Sequence, residues 1–188
     1  MPLSWLIIYK IYPHAVGVRL LPLLGLFFVS FVMIVTSLTD FDWKTIPDTA
    51  TLPLIILGLI ISSANFLLGT DALASLEGSM LGLAIGGGVP LAISKVGSWL
   101  AGRDVLGFGD VKLLAGFGTI LGWKGALLSL VVGSVLGGTL ALIGLPFKVI
   151  RRNQYIPFGP FLNAGGFLTM LLLLRNPEFI ESLLGFPL

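Results

Sequence analysis

The chain has 188 residues, of which 56% are hydrophobic and only 11% are charged. A soluble domain typically carries about 25% charged residues, so this composition excludes an ordinary water-soluble domain and favours a single-domain polytopic membrane protein. The net charge is +2 without a basic stripe, so we expect no nucleic-acid partner. The absence of cysteine excludes disulfides, thiolate nucleophiles and cysteine-ligated zinc.

Apolar segments predict an all-α fold, a polytopic membrane helical bundle with about six transmembrane helices. A transmembrane helix needs about 20 apolar residues, and the candidates are 20–39, 51–69, 76–96, 110–123, 125–147 and 159–175. The fourth is short, because fourteen helical residues span about 20 Å whereas the hydrocarbon core is about 30 Å thick. We divide the chain into an amphipathic, interfacial lead-in at 1–19 and a transmembrane domain at 20–188.

The distribution of basic residues predicts the orientation of the bundle. The predicted helices place loops 40–50, 97–109 and 148–158 on one side of the membrane. With their flanks, these loops hold seven of the 11 Lys and Arg residues. Because basic residues are enriched on the cytoplasmic side, this side should face the cytoplasm.

Glycines recur four residues apart in three of the predicted helices. The sets are Gly78, Gly82 and Gly86; Gly118 and Gly122; and Gly133 and Gly137. Such spacing puts small residues on one helix face, where a neighbouring helix can approach closely. We interpret all three sets as packing surfaces.

Two aspartates indicate chemistry. Asp40 ends the first apolar run, and Asp110 opens the short fourth helix on the same side of the membrane. Ionisable residues at membrane depth face a bundle interior or a wet cavity and are functional candidates. Two ionised carboxylates about 4 Å apart would repel by roughly 4 kcal/mol at an effective dielectric of 20, so one should keep a proton. Such a pair can activate water and polarise a peptide carbonyl.

The residues around Asp110, and the residue types that are missing, support this interpretation. Gly107 and Gly109 allow unusual backbone dihedrals beside Asp110 and leave room for an extended substrate. The only histidine, His14, is predicted on the far side, and no HExxH motif is present. We therefore expect neither a metal site nor a serine–histidine pair.

A small proton- or cation-coupled transporter is the competing hypothesis. Intramembrane aspartates also serve as ion sites, and helices broken by glycine or proline are common in transporters. Against it, the sequence shows no inverted repeat, and only one predicted helix is short.

Three segments resemble the type IV prepilin peptidase family. GFGD at 107–110, followed by VKLLAGFGTILGW, resembles the family's GxGD segment. TDFDWKTIPDTATLPLIILGL at 39–59 resembles its first catalytic segment, in which Asp40 and Pro47 keep the family's spacing. YIPFGPFLNAGG at 155–166 resembles the PFGPFL segment before the last helix. The three occur in the family's order and cover most of 30–175.

The resemblance implies an integral-membrane aspartic endopeptidase without a cofactor. It would remove the basic leader from type IV prepilins or type II secretion pseudopilins at the cytoplasmic face of the inner membrane. By position, Asp40 and Asp110 correspond to the catalytic pair, supported by Gly107, Gly109 and Pro47. The positions that could face the substrate are Asp42, Asp48, Pro157 and Gly159. An archaeal preflagellin peptidase is a near alternative with the same chemistry.

The chain departs from the family pattern in one respect. Many bacterial members carry an additional N-terminal part with paired cysteines, associated with metal binding and N-methylation. This sequence has no cysteine and begins just upstream of the catalytic core. The resemblance therefore implies a peptidase-only form and argues against S-adenosylmethionine-dependent methylation.

Overall fold

The computed structural model describes the backbone of residues 16–67, 72–102, 104–144 and 157–175, and within them the side chains of 27–60, 76–102, 104–144 and 157–172. All regular elements in these ranges are α-helices, so the predicted all-α class is confirmed. They are α1 (Val16–Trp43), α2 (Asp48–Leu67), α3 (Ala72–Ala101), α4 (Phe108–Gly144) and α5 (Gly159–Arg175). Most of the predicted lead-in at 1–19 lies outside the described residues.

Helix α4 reverses direction at Gly122. This residue has φ +73° and ψ 173°, outside helical geometry. A methyl group at Gly86 of α3 would lie 2.7 Å from the carbonyl oxygen of Leu114 and 3.0 Å from Cβ of Ala126. In one straight helix those two residues would be about 18 Å apart. The two arms, α4a (108–121) and α4b (123–144), therefore form a helical hairpin, close to the predicted boundary between the fourth and fifth helices.

The hairpin forms the centre of the bundle. Helix α4 packs against α2, α3 and α5, whereas α1 packs chiefly on α2 and α5. The buried apolar core joins α1, α2, α4a and α5; its members are Val29, Val32, Met33, Ile46, Ala50, Leu54, Leu113, Leu114, Phe117 and Leu162. Close approach of helix backbones explains much of the glycine content of this region.

The predicted glycine packing surfaces differ in how closely a neighbouring helix approaches them. A methyl group at Gly82 of α3 would overlap the carbonyl group of Gly118 in α4a, so the two backbones are in contact. A methyl group at Gly133 of α4b would lie 3.0 Å from Cα of Leu162. Gly78, in contrast, has nothing within 4 Å of such a methyl group.

The helix ends are determined by local chemistry. Helix α3 ends at Gly102, whose φ is +65° and whose N–H donates to the carbonyl of Ser98 at 2.9 Å, a left-handed cap. Helix α2 begins after Pro47, whose carbonyl accepts the N–H of Ala50 at 3.1 Å. Asp48 lies in its first turn, where a negative charge interacts favourably with the helix dipole.

Among the described residues, two helical stretches are long and apolar enough by length and composition to cross a membrane, Leu76–Ala101 and Phe108–Gly144, the second of which is divided at Gly122. Two shorter apolar stretches are Asp48–Ile60 and Gly159–Leu172. Large apolar side chains cover the outside of the bundle, among them Phe31 (57% exposed), Val96 (56%) and Val135 (60%). Contiguous apolar surface of this kind is suited to lipid rather than water. The number of six transmembrane helices stays a prediction.

Candidate active site

Five helix ends meet at one end of the bundle: the C-termini of α1 and α3 and the N-termini of α2, α4 and α5. Ile46, in the connection between α1 and α2, packs so closely on α4 that a methyl group at Gly109 would lie 2.8 Å from its Cβ. Lys112 of α4 donates to Asp48 of α2 at 2.6 Å. Gly109 therefore allows the start of α4 to lie directly against the α1–α2 connection.

Asp40 is held against the start of α5. It lies in the last turn of α1 and is only 3% exposed. Its Oδ2 accepts the backbone N–H of Gly159 at 2.7 Å. Gly159 is the first residue of α5, so the carboxylate occupies the positive end of the helix dipole. A methyl group at Gly159 would lie 2.7 Å from the same oxygen, so this approach requires glycine.

Asp110 lies in the first turn of α4 and is 5% exposed. Its carboxylate accepts a hydrogen bond from the backbone N–H of Gly107, just before the helix, as an acidic residue does in a capping box. The second oxygen, Oδ1, is buried and has no hydrogen-bond partner in the described part of the chain. A structural cap uses one oxygen, so the buried second oxygen is available for another task.

The structure brings the two aspartates together. They are near enough for the charge of Asp40 to act on Asp110. Three residues farther inside the bundle hold the helices in this arrangement. A methyl group at Gly166 of α5 would touch both the Phe117 ring of α4a and Met33 Cε of α1, so the three helices meet there.

Each residue of that deeper layer lies seven positions from a residue of the site. Asp40 follows Met33, Asp110 precedes Phe117, and Gly159 precedes Gly166 by seven residues. Seven residues are about two helical turns, or about 10 Å, so α1, α4a and α5 deliver these residues to one level on one side of the bundle.

The other predicted site residues surround this pair. Pro47 caps the start of α2, and Gly107 and Gly109 flank Asp110 as expected. Asp42 and Asp48 are exposed at the same end, and Pro157 is half-buried just before α5. Gly159, predicted to face substrate, lies against Asp40. Within the described ranges, no group of three His, Cys, Asp or Glu side chains could hold a metal ion.

Sequence reasoning missed Asn163 and the part that Gly159 plays in holding Asp40. Asn163 lies one turn below Gly159 and is 4% exposed. Its amide nitrogen contacts Thr36 Oγ1 at 2.9 Å and Ser37 Oγ at 2.8 Å. A polar residue inside an otherwise apolar helix, four positions after a glycine of the site, was the signal that could have revealed it.

Comparison with known proteins agrees with the geometry. The profile described as "Type IV leader peptidase family" matches residues 26–142. Three similar proteins are each named "Prepilin leader peptidase/N-methyltransferase". That of Stutzerimonas stutzeri is 32% identical over 74% of this chain and 46% of its own length. That of Legionella pneumophila is 32% identical over 74% of this chain and 46% of its own length. That of Xanthomonas campestris pv. campestris is 34% identical over 76% of this chain and 47% of its own length.

The chain thus spans about half the length of the curated relatives it matches. No solved structure matches it. The matched profile covers more than half of the chain and includes both buried aspartates. The chain belongs to the type IV leader peptidase family.

Proposed function

We propose that this protein is a membrane aspartic endopeptidase that removes the basic leader from type IV prepilins or type II secretion pseudopilins. The observation that carries the proposal is the pairing of two buried carboxylates, Asp40 and Asp110, at one end of an apolar helical bundle. Family membership supports a prepilin-type substrate, since the similar proteins are named as prepilin leader peptidases. The second activity in those names is not carried over to this chain.

The proposed reaction is hydrolysis by a carboxylate pair that shares one proton. The ionised carboxylate takes a proton from water, whose oxygen attacks the scissile carbonyl carbon. The protonated carboxylate donates its proton to the carbonyl oxygen. Collapse of the tetrahedral gem-diol breaks the C–N bond: one carboxyl gives its proton to the departing amine, and a hydroxyl of the gem-diol returns a proton to the other carboxylate. One water is consumed, a carboxyl and an amino terminus are formed, and the pair again holds one proton.

The substrate is proposed to lie across the membrane boundary. Its apolar helix would lie along the lipid-facing bundle, and its leader would reach the site end in an extended form, since a helical peptide hides its carbonyl groups. Asp42 is exposed there and would attract a basic leader over a short range. Asp48 is exposed as well, but its ion pair with Lys112 offsets its charge. The short arm α4a places Asp110 at the base of this region.

The proposed location is the inner membrane, with the site end toward the cytoplasm and six helical segments crossing the bilayer. Lys44, Lys95 and Lys112 belong to the loops and flanks at the site end, in agreement with the bias of basic residues toward the cytoplasm.

The two aspartates provide the direct test. Replacing Asp40 or Asp110 by Asn keeps the shape of the side chain and removes the shared proton, so leader cleavage should fall by about 10²–10⁴-fold. Cleavage is measured by co-expressing the protein with a prepilin and following the loss of its leader on a gel. Processing at near wild-type rate by either variant would contradict the assignment.

Asp104→Asn is the matched control. Asp104 lies in the loop just before α4 and is exposed, so the same chemical change removes a solvated charge only. This variant should process the prepilin at the wild-type rate. A liposome assay that detects ion flux without peptide cleavage would instead favour a transporter.

A further inference from the structure

Below the aspartates, a buried amide joins α5 to α1. The two hydrogens of Asn163 Nδ2 face three acceptors, Thr36 Oγ1 at 2.9 Å, Ser37 Oγ at 2.8 Å and the carbonyl of Met33 at 3.0 Å, so two of these acceptors share one hydrogen. Asn163 is 4% exposed and Thr36 is fully buried. Buried amides are costly unless they form hydrogen bonds. Here the NH₂ group forms them with three acceptors on one helix, whereas Oδ1 is buried without a partner among the described residues.

The hydrogens in this cluster can be assigned from the geometry. The hydroxyl of Thr36 donates to the carbonyl of Val32 at 2.7 Å, and that of Ser37 donates to the carbonyl of Met33 at 2.7 Å. Both hydroxyl hydrogens are thus committed to their own helix, which leaves lone pairs facing Asn163. Only a donor can satisfy those lone pairs, so the NH₂ group of the amide must point toward α1.

This amide cluster is one helical turn below the contact that holds Asp40. Thr36 precedes Asp40 by four residues on α1, and Asn163 follows Gly159 by four residues on α5. Residues four apart lie on the same helix face. The two cross-helix contacts, Asn163 with Thr36 and Gly159 with Asp40, therefore lie one above the other along the α1–α5 interface.

Apolar packing holds only one side of α1. Its outward side is exposed, as Phe31 (57%), Ile34 (59%) and Leu38 (60%) show. Apolar contacts are non-directional, and a shift of one residue along a helix rotates the side chains by about 100°. Such a rotation would turn Asp40 away from Gly159. Hydrogen bonds are directional and can set the rotation.

We propose that Asn163 is a positioning residue that fixes the rotation of α1 through Thr36 and Ser37 and thereby aims the Asp40 carboxylate at the reaction centre. This inference rests on the proposed peptidase function. Asn163 does not touch the reacting atoms; it acts through Asp40.

The test uses the 188-residue protein in membranes and three variants. Asn163→Ala removes the donor, and Asn163→Asp keeps the shape but places acceptors against acceptors. Thr169→Val is the matched control, because Thr169 is fully buried on the same helix and its hydroxyl has no hydrogen-bond partner within the described residues. We expect kcat for prepilin cleavage to fall about 10-fold or more in Asn163→Ala, at least as far in Asn163→Asp, and not in Thr169→Val. KM should stay within about 2-fold, because binding surfaces are unchanged.

A second measurement does not depend on activity. The chain has no cysteine, so spin labels can be placed at Leu38→Cys of α1 and Leu168→Cys of α5, both exposed positions. The distance distribution between the labels should broaden in the Asn163→Ala background and stay narrow with Thr169→Val. Unchanged label distances in Asn163→Ala, or an unchanged kcat in an active enzyme, would overturn the proposal. A wild-type protein that cleaves no prepilin refutes the function, whereas the label distances still decide the positioning of α1.

Discussion

At the scale of single residues, the site depends on its glycines as much as on its two aspartates. Asp40 reaches the start of α5 because Gly159 has no side chain to block it. Asp110 lies against the α1–α2 connection because Gly109 leaves room for Ile46. Asp40 thus depends on a glycine 119 residues away, and Asp110 on the glycine directly before it. In both cases the missing side chain determines how closely two segments can approach.

Gly159→Ala is therefore expected to reduce leader cleavage although it leaves both aspartates unchanged. The added methyl group would lie 2.7 Å from Asp40 Oδ2, so the carboxylate must move. Misplacement by about 1 Å can cost about 100-fold in rate, and we expect a loss of that order in kcat for leader cleavage. Gly138→Ala on α4b is the control, since nothing lies within 4 Å of its methyl position. A fully active Gly159→Ala variant would show that the Asp40–Gly159 contact is dispensable.

At the scale of helices, the reversal at Gly122 organises the bundle. It turns one long apolar segment into two antiparallel arms, of which α4a carries Asp110 and α4b supports α5. Gly82 of α3 lies against Gly118 of α4a backbone to backbone, which fixes the depth of the arm. Asp110, in the first turn of α4a, thus lies at the same level as Asp40 of α1 and Gly159 of α5.

Two glycines on α3 should respond in opposite ways to the same substitution. Gly82→Ala would overlap the Gly118 carbonyl and force the helices apart, which should cost about 1–3 kcal/mol of folding free energy. Gly78→Ala meets nothing within 4 Å and should stabilise the helix by up to about 1 kcal/mol. Thermal unfolding in detergent compares the two variants with the wild type. Equal melting temperatures for the two variants would contradict the close α3–α4a contact.

At the scale of the whole molecule, the proposed catalytic residues lie at one end of an apolar bundle. Helix α3 runs from the far end to the site end, and the 25 residues from Glu77 to Ala101 extend about 36 Å, enough to cross a hydrocarbon core of about 30 Å. Asp42 and Asp104 are exposed at the site end and Glu77 is exposed toward the far end. The proposed topology therefore puts these three residues on two sides of the membrane.

Single cysteines introduced into this cysteine-free chain would test that topology. A membrane-impermeant maleimide should label Asp42→Cys and Asp104→Cys in inside-out vesicles and Glu77→Cys in right-side-out vesicles. The reason is that polar, exposed positions on opposite ends of a spanning bundle meet water on opposite sides. Labelling of all three from one side would contradict the proposed insertion.

The sequence predicted the helices and the two aspartates better than it predicted their contacts. The third helix was predicted at 76–96, but α3 continues to Ala101, because the terminating signal is the left-handed Gly102 rather than the first polar residue. The break between the fourth and fifth helices was placed within two residues of Gly122. Apolar patterning locates such segments along the chain, but it does not give their rotation.

Contacts between distant segments cannot be predicted from the sequence, because apolar patterning does not give the rotation of the helices. The rotation of α1 relative to α5 decides that Asp40 meets Gly159, and that rotation arises from packing and from the Asn163 hydrogen bonds. The Lys112–Asp48 ion pair also joins segments 64 residues apart in the chain. The local composition of the sequence predicts neither the Asp40–Gly159 contact nor the Lys112–Asp48 ion pair.

The hydrogen bond between Asp40 and Gly159 has a consequence for biosynthesis. Its donor and acceptor are 119 residues apart in the chain. While the ribosome is still producing the earlier helices, Asp40 has already been made but the backbone group that orients it does not yet exist. An unfinished chain that ends before Gly159 therefore holds both acids yet lacks the part that aims one of them, so the proposed proteolytic activity should arise only when translation reaches the last of the described helices.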